Sequence, residues 1–279
     1  MESIEIVLTE KLKGISEIVS LSDSISSDSS LFGAKASNLS RAIQMGFAVP
    51  VGVVISKLCT RETLESLAQD IVDMLGGIVA VRSSAVKEDS DTEAFAGMFE
   101  TCLDVRTGEE LLSAFDTVKS SGNSEHLKKY HGKAIDGEEI AVVIQSMVNS
   151  TRAGVAFSRD PLTSEKKVII ESNYGLGKSV VDGIVTPDSI EYINEEAKEI
   201  FIGYKSKQII ISKDGIEEIE TKEEDTQKCS LSDGELQMIA ELAREVEEKL
   251  GFPADIEWAF DSNNTLWLLQ ARPITTLKL

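Results

Sequence analysis

The sequence predicts an α+β protein with two lobes, on two observations. Short β runs and amphipathic helices are mixed without the strict strand–helix alternation of a doubly wound sheet. A chain of 279 residues is also long enough for two lobes, each with a core of its own.

Residues 22–30, SDSISSDSS, are polar and serine-rich and read as loop. Ala36, Leu39, Ala42 and Ile43 recur at helical spacing, with Gly46 as the stop. VPVGVVIS then reads as a strand. A second helix, 61–75, carries Leu64, Leu67, Ala68, Ile71, Val72 and Leu75 as one stripe and ends at Gly76-Gly77. IVAVRSS (78–84) is a buried-strand run that opens into the polar loop AVKEDSDTEAFAG, and a helix over 109–119 follows.

In the second half, EIAVVIQSMV (139–148), AGVAFSRD and KVIIES read as strands, then SIEYI, EIFIGY and KQIIIS as three shorter ones. Ser232 with Glu235 three residues on forms a capping box. The helix it opens turns Leu236, Ile239, Ala240, Ala243, Val246 and Leu250 inward and stops at Gly251. DIEWAFDSNNTLWLLQAR closes the chain as a hairpin.

Lys and Arg number 28 against 48 Asp and Glu, a net charge of −20, so nucleic acid and anionic membrane are excluded as main partners. An anionic ligand needs a local cluster of cations inside this negative field, which makes the few arginines informative. The acidic start MESIEIVLTEKLKG lacks the basic and apolar regions of a signal peptide, and no apolar run approaches a membrane span. Cys59, Cys102 and Cys229 are odd in number and far apart, which fits neither a disulfide framework nor a zinc site and leads us to expect a cytoplasmic protein.

GLGKS (175–179) looks like the end of a Walker-type phosphate loop. That loop needs G-x-x-x-x-G-K-[ST], because its first glycine lets backbone amides wrap the phosphates. Counting back puts that glycine at Ser172, so the motif fails, and SVVDGIVTPDS breaks any helix soon after Lys178. A glycine turn between strands is the expected role.

Four other segments carry the stronger site signal. LFGAKASNL places Lys35 at a helix start, where amides and dipole favour phosphate. VAVRSSAVKED puts Arg82 at a strand end beside two hydroxyls, and AFAGMFET holds Gly97 in a loop suited to close approach of a ligand. In the closing hairpin Ile256, Trp258 and Phe260 alternate with Asp255, Glu257 and Ala259. A connection of even length pairs Glu257 with Leu268 and leaves Gln270 as a diagonal neighbour on the same face, roughly 7–8 Å away. A one-residue slip would send Gln270 and Arg272 to the opposite face. In the expected register a carboxylate and an amide oxygen can share Mg²⁺, with a guanidinium beside them for phosphate.

Taken together, GAKASNLSRAIQMGFAVPVGVVIS, VAVRSSAVKEDSDTEAFAGMFETCLDV, VVIQSMVNSTRAGVAFSRDP, GLGKSVVDGIVTPD and DIEWAFDSNNTLWLLQARPIT occur in family order over residues 31 to 275. The sequence resembles the N-terminal ATP-binding domain of the phosphoenolpyruvate synthase and pyruvate phosphate dikinase family, which rifampicin phosphotransferase shares. The resemblance implies an ATP-grasp-like fold with ATP between two lobes, residues 1–144 and 145–279. It implies Lys35 and Arg82 on the phosphates, Thr101 and Gly97 beside them, and Gln145, Met147 and Val148 at the adenine. It further implies Mg²⁺ on Glu257 and Gln270, and Arg272 stabilising the transferring phosphate. The implied activity is transfer of the β-phosphate of ATP to a histidine on a separate swivelling domain or partner chain, with AMP and phosphate released, en route to pyruvate or another acceptor.

Two departures qualify this. The family loop reads GLGE, whereas Lys178 stands here in place of the carboxylate and either adds a phosphate contact or marks a divergent site. Nothing in the sequence resembles the phosphohistidine segment or the pyruvate-binding barrel, and His126 and His131 lie in a charged stretch unlike an acceptor site. The expected protein is therefore a phosphotransferase that depends on a phosphohistidine and pyruvate-binding partner or on further domains. The alternative is a non-catalytic ATP-binding regulatory module.

Overall fold

A computed structural model describes residues 2–85, 100–122 and 139–276. The chain divides into two compact units, Met1–Gly46 with Pro50–Met147, and Phe47–Val49 with Val148–Leu279. The division falls after Met147, three residues beyond the boundary expected from sequence, and a three-residue strap from the first half joins the second unit.

The first unit contains α1 (Glu2–Lys11), β1 (Ile18–Ser20), α2 (Ser29–Gln44), β2 (Gly52–Ile55), α3 (Arg61–Glu65) and α4 (Ala68–Met74). It continues with β3 (Val79–Ala85), β4 (Thr101–Val105), α5 (Gly108–Ser121) and β5 (Ile140–Ser146). Its sheet runs β1-β2-β5-β3-β4 with every neighbour antiparallel. Alternate residues of the three central strands, among them Val53, Ile55, Val79, Val81, Val142 and Ile144, share one apolar core with Leu64, Ile71, Leu111, Phe115 and Val118 of α3, α4 and α5. The other set, Val54, Ala80, Arg82, Ser84, Val143 and Gln145, lies on the face that packs against α2.

The polar 22–30 stretch is more ordered than its composition suggests. A 3₁₀ turn spans Ser24–Ser27, and the Asp28 side chain accepts from Ser30 N to cap α2, seven residues before the expected apolar stripe. Gly33 kinks α2 with φ 77°. The expected 61–75 helix is two short helices, broken around Ser66–Leu67, with Leu64 and Ile71 still buried in the same core.

The second unit contains β6 (Ser150–Phe157), β7 (Val168–Tyr174), α6 (Lys178–Val181), β8 (Asp188–Ile193), β9 (Glu196–Phe201), β10 (Lys207–Ile211) and β11 (Ile216–Glu220). It ends with α7 (Asp233–Leu250), β12 (Ala254–Asp261) and β13 (Leu266–Pro273). Its main sheet runs β13-β12-β6-β7-β8-β9, again all antiparallel, and β10–β11 forms a separate hairpin. The Ser232–Glu235 capping box is present, all six expected inward residues of α7 are buried, and Gly251 closes the helix in the left-handed region. β11 escaped the sequence reading because IEEIE is charged and exposed; it pairs through register and the Lys207–Glu218 ion pair, not through burial.

One ion pair in this unit is entirely enclosed. Lys205 Nζ lies 2.6 Å from Asp188 Oδ1, and both side chains have 0% exposure. Asp188 Oδ1 also accepts from Gly203 N, and Oδ2 accepts from Ser230 N and Oγ, at 3.0, 2.7 and 2.8 Å. Removing one partner leaves an uncompensated buried charge. Lys205→Met is therefore expected to lower stability by about 3–5 kcal/mol in urea unfolding, and a loss under ~1 kcal/mol would show that the network is not closed to water.

Candidate functional site

In the first unit the groups expected to meet phosphate sit where α2 meets β3. Lys35 lies inside α2, two residues past its kink at Gly33. Arg82 is in the middle of the strand and not at its end as expected, because β3 runs on to Ala85. Lys35 is 7% exposed, and its ammonium donates to Ser83 O at 2.8 Å. Ser84 Oγ donates to Phe32 O at 2.7 Å and accepts from Ala36 N at 3.0 Å, so one serine ties both sides of the α2 kink to the strand. The kink must be glycine: a Cβ on Gly33 would stand 2.0 Å from Ser84 O, and its φ is positive. Arg82 is half-buried on the α2 face and has Thr101 of β4 as a register partner. Gln145 is buried on that face and donates to Pro50 O at 3.4 Å. Met147 gives its N–H to Ile78 O, and its sulfur accepts from Asp104 N at 3.1 Å. Val148 belongs to the second unit. Gly97, His126 and His131 lie outside the described residues.

The hairpin of the second unit corrects the expected register. The tip pairs Phe260 with Leu266, Ala259 with Trp267 and Trp258 with Leu268; a bulge then leaves Leu269 as the extra residue, and Glu257 faces Gln270 directly. Glu257 was expected opposite Leu268, with Gln270 on the diagonal. The observed connection is odd in length, and by itself it would turn Gln270 and Arg272 onto the Trp258 face. The bulge inserts the compensating residue and returns them to the Glu257 face. Directly opposite side chains start about 4.5–5.5 Å apart at Cβ, closer than the diagonal relation.

Asp255, next along this face, pairs with Arg272. Arg272 Nε and a terminal nitrogen each lie 2.8 Å from Asp255 Oδ2. Burial pushes the Asp255 carboxyl up, and the guanidinium pulls it back toward ionisation. In β7, Glu171 shares Val155 as a cross-strand neighbour with Glu257, and burial, then Asp255, raises its carboxyl too. The face opposite α7 thus carries Asp255, Glu257 and Glu171 with one guanidinium and one amide. Asp255 and Glu171 were not identified from the sequence. The alternation in DIEWAF placed Asp255 on this face, but the pairing of β7 with β6 is long-range and has no local signal.

Among the described residues no three His, Cys, Asp or Glu side chains group closely enough to hold a metal by themselves. The set fits Mg²⁺ in its usual mode, where one or two protein oxygens act together with nucleotide phosphates. Glu257 and Gln270, facing each other, carry the oxygens that could serve in it.

The glycine loop is not a phosphate loop. α6 is a single turn of four residues, and Lys178 is paired with Asp182 on the surface. Ser179 is fully buried and accepts from Asn173 Nδ2 at 2.9 Å, which leaves no hydroxyl for a metal. Gly175 has φ 74° because Ile209 passes close by: Leu176 N donates to Ile209 O at 2.7 Å, and a Cβ at 175 would stand 2.2 Å from that oxygen. The glycine admits the β10–β11 hairpin.

Residues 60–279 match the pyruvate phosphate dikinase AMP/ATP-binding domain. The chain belongs to that family. Lys35 precedes the matched residues. The chain is 33% identical over 283 residues to the uncharacterised phosphotransferase YvkC of Bacillus subtilis, covering 89% of this chain and 34% of that protein. It is 37% identical over 206 residues to a probable phosphoenolpyruvate synthase of Archaeoglobus fulgidus, covering 72% of this chain and 27% of the relative. The chain therefore spans about a quarter to a third of the length of these curated relatives. Among solved structures, the D-alanine–D-alanine ligase of Coxiella burnetii aligns with 90% of this chain and 50% of its own, at a TM-score of 0.42 and 13% identity, a loose likeness. Among the described residues no helix is long and apolar enough to cross a membrane.

Asp255 depends on Arg272, and this sets a pH-dependent expectation. A buried acid whose folded pKa is raised contributes most stability when protonated, and loses it as pH climbs from the ordinary carboxylate value through the folded one. Arg272→Met removes the compensating charge, so the variant is expected to lose about 1–3 kcal/mol relative to wild type at pH 7 and much less near pH 4, in urea unfolding. An equal loss at both pH values would show that Asp255 is not the cause.

Proposed function

We propose that this family member binds Mg·ATP and transfers its β-phosphate to a histidine outside the described residues, on a further domain or a partner chain, with AMP as the leaving group and a water molecule taking the γ-group away as phosphate. The observation that carries the reading is Glu257 directly opposite Gln270, with Arg272 on the same face held by Asp255. A family whose domain binds AMP or ATP supplies the ligand class, and the relatives' printed names supply phosphoryl transfer as the reaction class.

In this reading Lys35 and Arg82 bind the phosphates, Thr101 sits beside Arg82, and Gln145, Met147 and Val148 hold the adenine largely through backbone groups. Gly97, which lies outside the described residues, is assigned to the same phosphate group by the family resemblance alone. Mg²⁺ bound by Glu257 and Gln270 supplies neutralisation of charge on the phosphoryl oxygens. Arg272 holds its guanidinium in a fixed orientation because Asp255 takes two of its nitrogens, so little reorganisation is needed when negative charge develops on the transferring group. The residues act by positioning and charge, and no nucleophile of this chain is called for. The acceptor beyond the histidine is pyruvate or another small molecule, bound by a phosphohistidine and pyruvate-binding partner. Charge favours this division of labour, since groups that serve a transition state have no use in a pure sensor.

Calorimetric titration of Mg·ATP tests the site. Arg82→Ala is expected to weaken binding by about 1.5–3 kcal/mol, the scale of a charge-assisted contact. Lys178→Ala, whose ammonium is committed to Asp182, is expected to change it by less than ~0.5 kcal/mol. The reverse pattern would return the phosphates to the glycine loop. AMP release on adding a phosphohistidine-domain partner separates transfer from the non-catalytic alternative, which gives none.

A further inference from the structure

The face that carries Glu257, Gln270 and Arg272 continues across β6 to Glu171 of β7, a carboxylate for which the proposed reaction has given no role. Val155 is the cross-strand neighbour of both acids, so they stand level along the strands and two strand spacings apart, about 10 Å. Glu171 is half-buried, and among the described residues its carboxylate accepts no hydrogen bond and meets no cation. The influences on it are burial and the charge of Asp255, and both disfavour ionisation. Lys167, just before β7, is committed to Asp160 at 3.0 Å and Glu191 at 2.9 Å. A carboxylate that has lost part of its water without gaining a protein donor is costly, and a donor from a ligand removes the cost.

The surroundings narrow what that ligand group can be. A phosphate oxygen is repelled by Glu171 and by Asp255, so the polyphosphate keeps to the Arg272 flank of Glu257. The sugar is kept away by position. The base is assigned to residues just before β6, and Ser150, where β6 begins, is about 17 Å from Val155 by strand rise. In that direction α6 roofs the face over β6 and β7: a Cβ on Gly177 would touch that of Ala153 at 3.6 Å, and Asn173 is fully buried and donates to Ser179. In the opposite direction Phe157 of β6 pairs with Ile169 of β7, and both are half-buried, which gives an apolar floor. The open place beside Glu171 thus has one acceptor above an apolar floor, level with the metal oxygens and on the flank away from the guanidinium. A flat ring with an N–H matches it.

We propose that Glu171 receives the imidazole of the phosphoryl acceptor, taking a hydrogen bond from its ring N–H so that the other ring nitrogen presents its lone pair to the β-phosphorus. The inference rests on the reading of Glu257 and Gln270 as the oxygen pair for Mg²⁺. A neutral imidazole has one N–H and one lone pair, and the acceptor on the N–H decides which nitrogen can attack. In the step a bond forms between that nitrogen and the β-phosphorus. The bond from the β-phosphorus to the oxygen it shares with the α-phosphorus breaks, and its electron pair leaves with AMP. The ring keeps its N–H on Glu171, whose negative charge offsets the positive charge that the ring acquires.

The experiment uses the whole chain, Mg·ATP and two small acceptors in place of the histidine: imidazole, and 1-methylimidazole, which has the lone pair and no N–H. Both are neutral at about pH 8. AMP formation is followed in wild type and in Glu171→Gln, which keeps the side-chain shape and removes a charge that burial and Asp255 already disfavour. We expect wild type to use imidazole about tenfold faster than 1-methylimidazole, the scale of one charge-assisted hydrogen bond. Glu171→Gln is expected to lose that preference: about tenfold slower with imidazole, and within about twofold of wild type with 1-methylimidazole. An equal loss with both acceptors, no preference in wild type, or no AMP from either acceptor in protein that binds Mg·ATP would overturn the proposal. Calorimetry of Mg·ATP on both forms tells the acceptor place from the cation site. A tenfold weaker Mg·ATP affinity in Glu171→Gln would make Glu171 part of the cation site and overturn the proposal. Failure of wild type to bind Mg·ATP would overturn the reading of Glu257 and Gln270, and this inference with it.

Discussion

A single extra residue in β13 determines which side chains the second unit can offer to a cation. The hairpin tip is set by an odd connection, and in that register the polar residues of TLWLLQAR would lie against α7, where Ile256, Trp258 and Phe260 are buried. An amide and a guanidinium on that face would be desolvated without partners, a cost large enough to break the strand. The bulge at Leu269 resolves the conflict. Apolar residues stay on the helix side up to Leu268, and Gln270 and Arg272 emerge on the other side beside Glu257 and Asp255. The ordering of Arg272 by Asp255 follows from the same step, because a ladder out of phase by one would separate them.

The first unit solves a related problem with a glycine. Lys35 is buried, and a buried ammonium needs an acceptor; the carbonyl of Ser83 supplies it. That contact requires α2 to approach the end of β3 within backbone distance, which a side chain at position 33 would block. Ser84 then fastens both arms of the kink. Gly33 and Gly175 thus do the same kind of work. Each removes a Cβ where one backbone must pass another. The similarity of GLGKS to a phosphate loop is an accident of this packing need, and the enclosed Ser179 and the surface pair Lys178–Asp182 show how its polar groups are used.

The clearest sequence signals were those whose cause lies within a few residues. The Ser232–Glu235 box, the stripe of α7 and the Gly251 stop all appear where expected, because capping and amphipathic burial are decided within a helix turn or two. The split of 61–75 into α3 and α4 did not show, since both pieces keep the apolar spacing that signals one helix. β11 did not show, since its pairing with β10 rests on charge and register and it buries little. Among site residues, Glu257, Gln270 and Arg272 could be placed on one face from alternation. Their pairing could not be, because the turn length and the bulge were both misjudged and the two errors cancelled in the face while leaving the partner wrong.

Residue order alone determined the class of the protein and the chemistry on offer: mixed α+β architecture, a strong acidic field with a few placed cations, and a carboxylate, an amide and a guanidinium in the closing hairpin. Those properties depend on composition and on periods of two and 3.6 residues, which a chain carries wherever it goes. Tertiary structure alone decided that Glu257 faces Gln270, that Asp255 grips Arg272, that Glu171 joins them across β6, and that a strap from the first half of the chain rests on β13. Each depends on which strands become neighbours and at what offset. That choice is made by the summed burial of the whole sheet, and no short stretch of sequence contains it.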